Sequence, residues 1–279
     1  MTCSETLLKD NKKIKLEKIS EQVYGNQQKR KEIDMRNQHS LTKIRSNIWH
    51  MEDDYGVYVT LIKGSEKAIL LDTGYGNHNW KAFMEEHVDT PYLVINSHGH
   101  PDHCLGDLMF DEVYAVKDEW DVIRHFIFEQ NPNAQLPRFQ EIKRNEVMNL
   151  GGLHVQMIPM QGHTKGSIGL LIEEERLLLS GDAINEGLWM FNYGALPLEK
   201  LKEMLYSLED VPFETFVCGH SREEFRKEKL RAHIKNLEQL DIHRCVKTET
   251  IGFETYISEY NGAEGKSTIV FAKELCANK

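Results

Sequence analysis

Seven residues, Ser97-His98-Gly99-His100-Pro101-Asp102-His103, constrain this chain more than any other stretch. They follow the apolar run Tyr92-Leu93-Val94-Ile95, which reads as a buried strand. If strand geometry continues past Ile95, His98 and His100 point the same way, and Asp102 and His103 follow on a turn. Burying three imidazoles and a carboxylate together without a cation leaves polar groups that are hard to satisfy. The stretch is therefore read as a metal site at a strand end, with ligands for two metals in one loop. The chain has 13 histidines. Those without such companions, His39, His50, His78, His87, His125, His154, His233 and His243, are read as surface or hydrogen-bonded core residues.

Ligand-type residues recur downstream in three short contexts: Gln161-Gly162-His163-Thr164, Leu178-Leu179-Ser180-Gly181-Asp182 and Phe216-Val217-Cys218-Gly219-His220. Upstream, Ile69-Leu70-Leu71-Asp72-Thr73-Gly74 ends another apolar run. Taken in this order, the motifs resemble those of the metallo-β-lactamase-fold hydrolases over roughly residues 44 to 222. The resemblance implies an α/β fold, a four-layer αββα sandwich whose two sheets face one another with the site at one edge. It also implies one metal on His98, His100 and His163, a second on Asp102, His103 and His220, and Asp182 bridging. The cofactors implied are two divalent ions, zinc first, with manganese and iron as alternatives. Three neutral imidazoles leave a metal strongly electrophilic, and the set with carboxylates carries more negative charge, which agrees with that division. A hydroxide shared by the metals would be the nucleophile, because zinc can lower the pKa of bound water from about 15.7 toward 7. Asp102 is expected also to guide a proton to the leaving group, and Asp72 either to accept a hydrogen bond from a ligand imidazole or to serve as a turn carboxylate helping Thr73 and Gly74 reverse the chain. Cys104 and Cys218 lie beside ligands but are expected to be buried structural residues, the ligand set being complete without them.

Bulk properties narrow the rest. A length of 279 residues allows one large domain or two small ones, and 40% hydrophobic with 28% charged residues describes an ordinary globule. A net charge of -10 speaks against a general nucleic-acid surface. No apolar run is long enough to span a membrane. Residues 1–18 lack the basic-then-apolar order of a secretion signal, and five cysteines without paired spacing do not form a disulfide framework. A cytoplasmic protein acting on a small molecule is expected, and homo-oligomerisation is left open.

Three segments are expected: a charged extension over residues 1–40, a catalytic domain over 41–243, and a C-terminal hairpin over 244–279 packed on that domain. Within the domain, strands are expected at 44–51, 56–63 and 68–72, then a helix over 77–88 with Trp80, Phe83, Met84 and Val88 on one face. Asp118 is expected to cap a helix to Glu129, and residues 130–139 to form a loop. A second group of strands follows at 152–159, 167–173 and 176–180. The aromatic stretch Asn185–Tyr193 is read as a loop, either a substrate wall or simply packed. Helices are expected at 198–208 and 222–240, and the C-terminal hairpin is expected to turn at Asn261-Gly262.

The expected function is hydrolysis of an ester-like bond in a small molecule, with thioesters and lactones ahead of β-lactams. A small nucleotide-like phosphodiester is the alternative within hydrolysis, and sulfur oxidation at a single iron is the alternative outside it. A sensor that keeps the site without turnover ranks last. The chain after His220 does not look like the glutathione-binding domain of glyoxalase II. Lys165 and Cys104-Leu105-Gly106 also depart from common family text near the site.

Overall fold

The computed structural model describes residues 40–276, so the expected 1–40 extension lies outside the described residues apart from Ser40, where the first strand begins. The chain opens with four antiparallel strands, not three: β1 (Ser40–Arg45), β2 (Ile48–Glu52), β3 (Tyr58–Lys63) and β4 (Ala68–Leu71). The stretch read as one strand over 44–51 is split by a turn at Ser46-Asn47, two residues whose side chains favour turns. Helix α1 (Trp80–His87) follows, with the Asn79 side chain accepting from the Ala82 amide at 3.1 Å. Its buried Trp80 and Met84 lie four residues apart and so share one face, as the spacing predicts.

Strand β5 (Tyr92–Ile95), the short helix α2 (Pro101–Cys104), β6 (Glu112–Ala115), α3 (Trp120–Gln130) and β7 (Arg138–Glu141) come next. Among the described residues the first sheet runs in the order β1 to β7, turning parallel from β4 onward. Arg138 and Phe139, expected in a loop, thus begin a strand. Asp118 does not cap α3; it lies in a preceding helical turn and pairs with Arg144 and Lys165.

The second sheet takes β8 (Val147–Asn149), β9 (His154–Pro159), β10 (Ile168–Ile172) and β11 (Leu177–Leu179). Beyond them lie β12 (Gly187–Met190), α4 (Leu198–Ser207), β13 (Thr215–Val217), β14 (Phe225–Arg226), α5 (Lys229–Glu238), β15 (Val246–Thr250), β16 (Phe253–Gly262) and β17 (Gly265–Phe271). The second sheet's order is β14-β13-β11-β10-β9-β8. The helix expected over 222–240 forms only from Lys229, because Phe225–Arg226 pair with β13 instead.

The layers follow from burial. Ile48, Ile62, Leu71 and Ile95 of the first sheet meet Val155, Met157, Leu170 and Leu179 of the second in one apolar core. Trp80 and Met84 of α1 cover the outer face of the first sheet, and Ile123 and Ile127 of α3 pack beside Ala115. Leu201 and Leu205 of α4 and Leu230 and Ile234 of α5 cover the second. This is the αββα sandwich.

The C-terminal hairpin is present but is part of a third sheet, ordered β12-β17-β16-β15. Strand β16 continues through Asn261-Gly262, and Gly262 pairs with Gly265, so the reversal falls two residues later than expected. The aromatic stretch read as a loop contributes β12, which pairs in parallel with β17 from Gly187↔Thr268 to Met190↔Phe271. Parallel pairing between segments this far apart in sequence has no local signature.

Candidate metal centre

Strand β5 carries the chain to Ser97, and His100 is still extended (φ -71°, ψ 154°) before Pro101 opens α2. Asp102 and His103 come off that turn, which is fixed by the His103 amide donating to the His100 carbonyl at 2.9 Å. His163 stands between β9 and β10, Asp182 after β11, and His220 after β13. Of the seven ligand-type residues, His98, His100, Asp102, His103 and His163 are buried, as is Asp72, while Asp182 and His220 are partly exposed. 

Two groups of ligand atoms result, each within 4.8 Å of one another: His98, His100 and His163, and Asp102, His103, Asp182 and His220. In the first, His100 Nδ1 lies 3.1 Å from His98 Nε2 and 2.8 Å from His163 Nε2. In the second, His220 Nε2 lies 3.2 Å from Asp102 Oδ2 and 3.0 Å from Asp182 Oδ2. Asp182 Oδ2 is also 3.8 Å from His163 Nε2, and Asp182 Oδ1 is 3.5 Å from His103 Nε2. Asp182 therefore faces both groups.

The opposite ring nitrogens set the tautomers. His163 Nδ1–H donates to the Trp189 carbonyl at 2.8 Å, and His100 Nε2–H donates to the Tyr193 carbonyl at 2.9 Å. Asp72 Oδ2 accepts from His103 Nδ1 at 2.9 Å and from the Ser97 hydroxyl at 2.8 Å. With its proton so committed, Ser97 Oγ accepts from His98 Nδ1 at 3.0 Å. Three imidazole lone pairs then converge between His98, His100 and His163. Lone pairs cannot hydrogen-bond one another, and a cation among them satisfies all three. In the second group His103 Nε2 and Asp182 Oδ1 are buried without a hydrogen-bond partner. The donor set fits divalent metal at both places.

Electrostatics separate the two groups. Burial, reinforced by neighbouring imidazoles, pushes His98 well below its ordinary value and His100 down to about 3, and burial lowers His163. Burial alone would raise Asp102, but His103 and His220 hold it at about 2. Asp182 is held well below the carboxylate range against burial by His220 and His103. The same carboxylates outweigh burial at His220, raising it to about 10, and at His103, raising it well above the imidazole range. One group is a neutral nitrogen trio; the other is rich in anionic oxygen.

Burial pushes the Cys104 thiol well above its ordinary value and that of Cys218 to about 12. Both are spent on local hydrogen bonds, Cys104 Sγ to the Gly99 carbonyl and Cys218 Sγ to Asn185 Oδ1. Lys165 points away from the ligands to Asp118 at 2.9 Å. A side chain at Gly106 would strike Thr73, the residue that follows Asp72.

Four participants were not anticipated from the sequence. Ser97 links Asp72 to His98, and the carbonyls of Trp189 and Tyr193 orient two rings. Glu119, buried, accepts from the Gly99 amide at 2.7 Å, the Thr164 hydroxyl at 2.7 Å and the Gly166 amide at 2.5 Å, joining the loop of His98 and His100 to that of His163. Ser97 was visible inside the ligand motif. Carbonyls have no sequence signature, and Glu119 reads as one more charge at a helix start. Within the stretch Asn185–Tyr193, Leu188 and Met190 are buried in the core, while Tyr193 is half exposed and stacks on His125 at 4.4 Å.

Comparison with known proteins agrees with this geometry. The family model described as "Metallo-beta-lactamase superfamily" matches residues 53–220. The acyl-coenzyme A thioesterase MBLAC2 of Homo sapiens is 24% identical over 177 residues, covering 51% of this chain and 60% of that protein. The hydroxyacylglutathione hydrolase of Hyphomonas neptunium is 26% identical over 175 residues, covering 61% and 63%. The chain thus spans about three fifths of the length of these curated relatives. Among solved structures, a metallo-beta-lactamase from Pontibacter korlensis superposes with a TM-score of 0.58 at 17% identity, covering 73% of this chain and all of that one, a likeness of fold. No helix among the described residues is long and apolar enough to cross a membrane.

Proposed function

Since the chain belongs to the metallo-beta-lactamase superfamily, we propose that it is a metal-dependent hydrolase of small-molecule ester-like bonds, with thioesters favoured, lactones next and β-lactams behind them. The observation that carries this reading is the pairing of a neutral three-nitrogen group with an anionic group across a shared carboxylate, Asp182. His98, His100 and His163 would hold one divalent ion, Asp102, His103 and His220 a second, and Asp182 would touch both. Such ions, zinc foremost and manganese or iron otherwise, supply Lewis acidity toward a carbonyl oxygen and lower the pKa of water. The names of the relatives, an acyl-coenzyme A thioesterase and a hydroxyacylglutathione hydrolase, support the ranking of thioesters.

The chain's own residues supply the rest. Hydrolysis adds water across an acyl C–S or C–O bond, so one proton leaves the attacking water and one reaches the leaving sulfur or oxygen. Asp102 lies 3.2 Å from His220 in the second group and is the carboxylate suited to carry that proton. Ser97, Asp72 and the Trp189 and Tyr193 carbonyls keep the four rings in place, so that little reorganisation accompanies the reaction. Tyr193 and His125 form an aromatic shelf beside His100 for the acyl portion. Free Cys104, Cys218 and Cys245 suit a reducing cytoplasm.

Elemental analysis of the purified protein and of Asp182→Ala tests this reading, followed by a panel of acyl thioesters, lactones, β-lactams and small phosphodiesters. About two metals per chain in the wild type, a sharp fall in the variant and turnover of a thioester or lactone are expected. One iron per chain with oxygen uptake would replace hydrolysis with sulfur oxidation, and turnover of phosphodiesters alone would move the reaction to phosphorus.

A further inference from the structure

The segment from Asp182 to Tyr193 does three jobs at once: it supplies a ligand-type carboxylate, the carbonyl that orients His163 and the carbonyl that orients His100. It leaves the second sheet after β11 and enters the third sheet as β12, so its path is set largely by residues beyond the family-matched 53–220. Strand β17 fixes its register, and the Ala272 amide donates to the Met190 carbonyl at 3.0 Å. Between Asp182 and β12, Ser180 Oγ donates to the Ile184 carbonyl at 2.8 Å and Cys218 Sγ to Asn185 Oδ1 at 2.9 Å, both from the second sheet. There, His233 of α5 reaches the Asn185 carbonyl with Nε2 at 3.0 Å.

We propose that His233 is a positioning residue for the metal centre, fixing through the Asn185 carbonyl the segment that delivers Asp182 and orients His163 and His100. The inference rests on reading the site as a metal centre.

The hydrogen bonds around His233 determine which of its nitrogens donates. Asn236, one turn further along α5, donates from Nδ2 to Ser267 Oγ at 3.1 Å and accepts on Oδ1 from the Ser258 hydroxyl at 2.5 Å. The Asn185 carbonyl can only accept, so the imidazole proton sits on Nε2, facing it. Nδ1 is then an acceptor, and the Ser267 hydroxyl donates to it at 2.8 Å. His233, Asn236, Ser258 and Ser267 are all buried. A leucine at 233 would pack the helix without this network, whereas buried polar groups that are fully satisfied specify one arrangement over its neighbours. The directed bond here ends three residues from Asp182.

The test compares wild type, His233→Leu, His233→Gln and, as a packing control on the same helix, Leu230→Ala. Two quantities are read: zinc affinity by competition with a chromophoric chelator, and amide hydrogen exchange over residues 185–193 in the metal-free protein. His233→Leu is expected to weaken zinc binding about tenfold and to speed exchange in that segment. His233→Gln, whose amide N–H can reach the same carbonyl, should recover most of both. Leu230→Ala should lower Tm and leave both near wild type. The proposal is overturned if His233→Leu folds with unchanged affinity and exchange, or if Leu230→Ala alters both equally. Should His233→Leu not fold, Ser267→Ala, which removes the donor to Nδ1 and leaves the ring held from one side only, must produce the same two changes at smaller amplitude or the proposal falls. A wild type that binds no zinc would overturn the metal-centre reading, and the exchange comparison would still decide the role of His233.

Discussion

Asp72 sits at φ 63°, in the left-handed region that a residue with a Cβ rarely adopts. That conformation turns its carboxylate back under the metal loop, where it accepts from the Ser97 amide at 2.7 Å, the Ser97 hydroxyl and His103 Nδ1. Asn tolerates this backbone region and Ala does not, so two substitutions separate strain from charge. Asp72→Asn should keep Tm close to wild type and weaken zinc binding about 10-fold to 100-fold, as lost support of a ligand imidazole does. Asp72→Ala should show that loss plus about 1–2 kcal/mol of instability from the backbone; chelator competition and thermal unfolding measure the two effects. A second carboxylate, Asp107, is wholly buried, accepting from Thr73 Oγ1 at 2.8 Å and Asn96 Nδ2 at 3.1 Å, while its Oδ2 has no partner. Burial raises its pKa from 3.8 to about 8. The unfolded chain releases this proton near 3.8 and the folded chain keeps it to about 8, so its contribution is complete below the lower value and is lost as pH rises through the window. Asp107→Asn, which mimics the protonated form, should therefore gain on wild type by at most about 1.4 kcal/mol per pH unit across that range. Urea unfolding at pH 5 and pH 8 reads the difference, and parallel curves would mean that Asp107 does not titrate there.

Elements that declare themselves locally were legible, and those that depend on distant partners were not. Helix α1 carries its own face and its own cap, and β4 and β5 are apolar runs ending in Asp72 and at Ser97, so both could be read from neighbours in sequence. The residues that cluster at the candidate site were legible for the same reason, since each stands just past an apolar run. Strand β12 has four residues and finds its partner about eighty residues later, so nothing near Trp189 announces it. The joint made by Glu119 is equally non-local: it exists only because β5 and β10 bring the Gly99 and Gly166 amides to one carboxylate. A Cβ on Gly99 would stand 3.0 Å from Glu119 Oε2, and one on Gly166 would stand 2.7 Å from Oε1, so both backbones need glycine to come this close. Glu119→Ala leaves two buried amides without acceptors, each costing about 1–3 kcal/mol. A fall in Tm is expected, together with looser binding at the trio of His98, His100 and His163. Cobalt titration followed by absorption should show one of two sites weakened more than the other; equal weakening of both would make Glu119 a general stabiliser only.

At the scale of the whole molecule, the candidate site is where three sheets meet, and its ligand-type residues come from both sheets of the sandwich while two orienting carbonyls follow from the third. One face of the third sheet carries a small cluster of Phe191, Ile257, Val270 and Ala272, and the other face enters the core of the second sheet and its helices. Ile269 and Phe271 of β17 are fully buried in the same cluster as Leu201 of α4, Phe216 of β13 and Leu230 of α5. We therefore propose that residues 244–276 form part of one domain with the sandwich and are not an appendage. The physical consequence concerns cooperativity. An appended hairpin would melt ahead of the sandwich, whereas a sheet sharing the core must unfold with it. Calorimetry should give one transition whose calorimetric and van't Hoff enthalpies agree. Phe271→Ala, which empties a site in the shared core, should lower stability by about 3–5 kcal/mol and shift the whole transition without splitting it. An early separate transition in that variant would place the third sheet in its own folding unit. The segment carrying Asp182 would then be held from one side only, and metal affinity should drop at the temperature of that first transition.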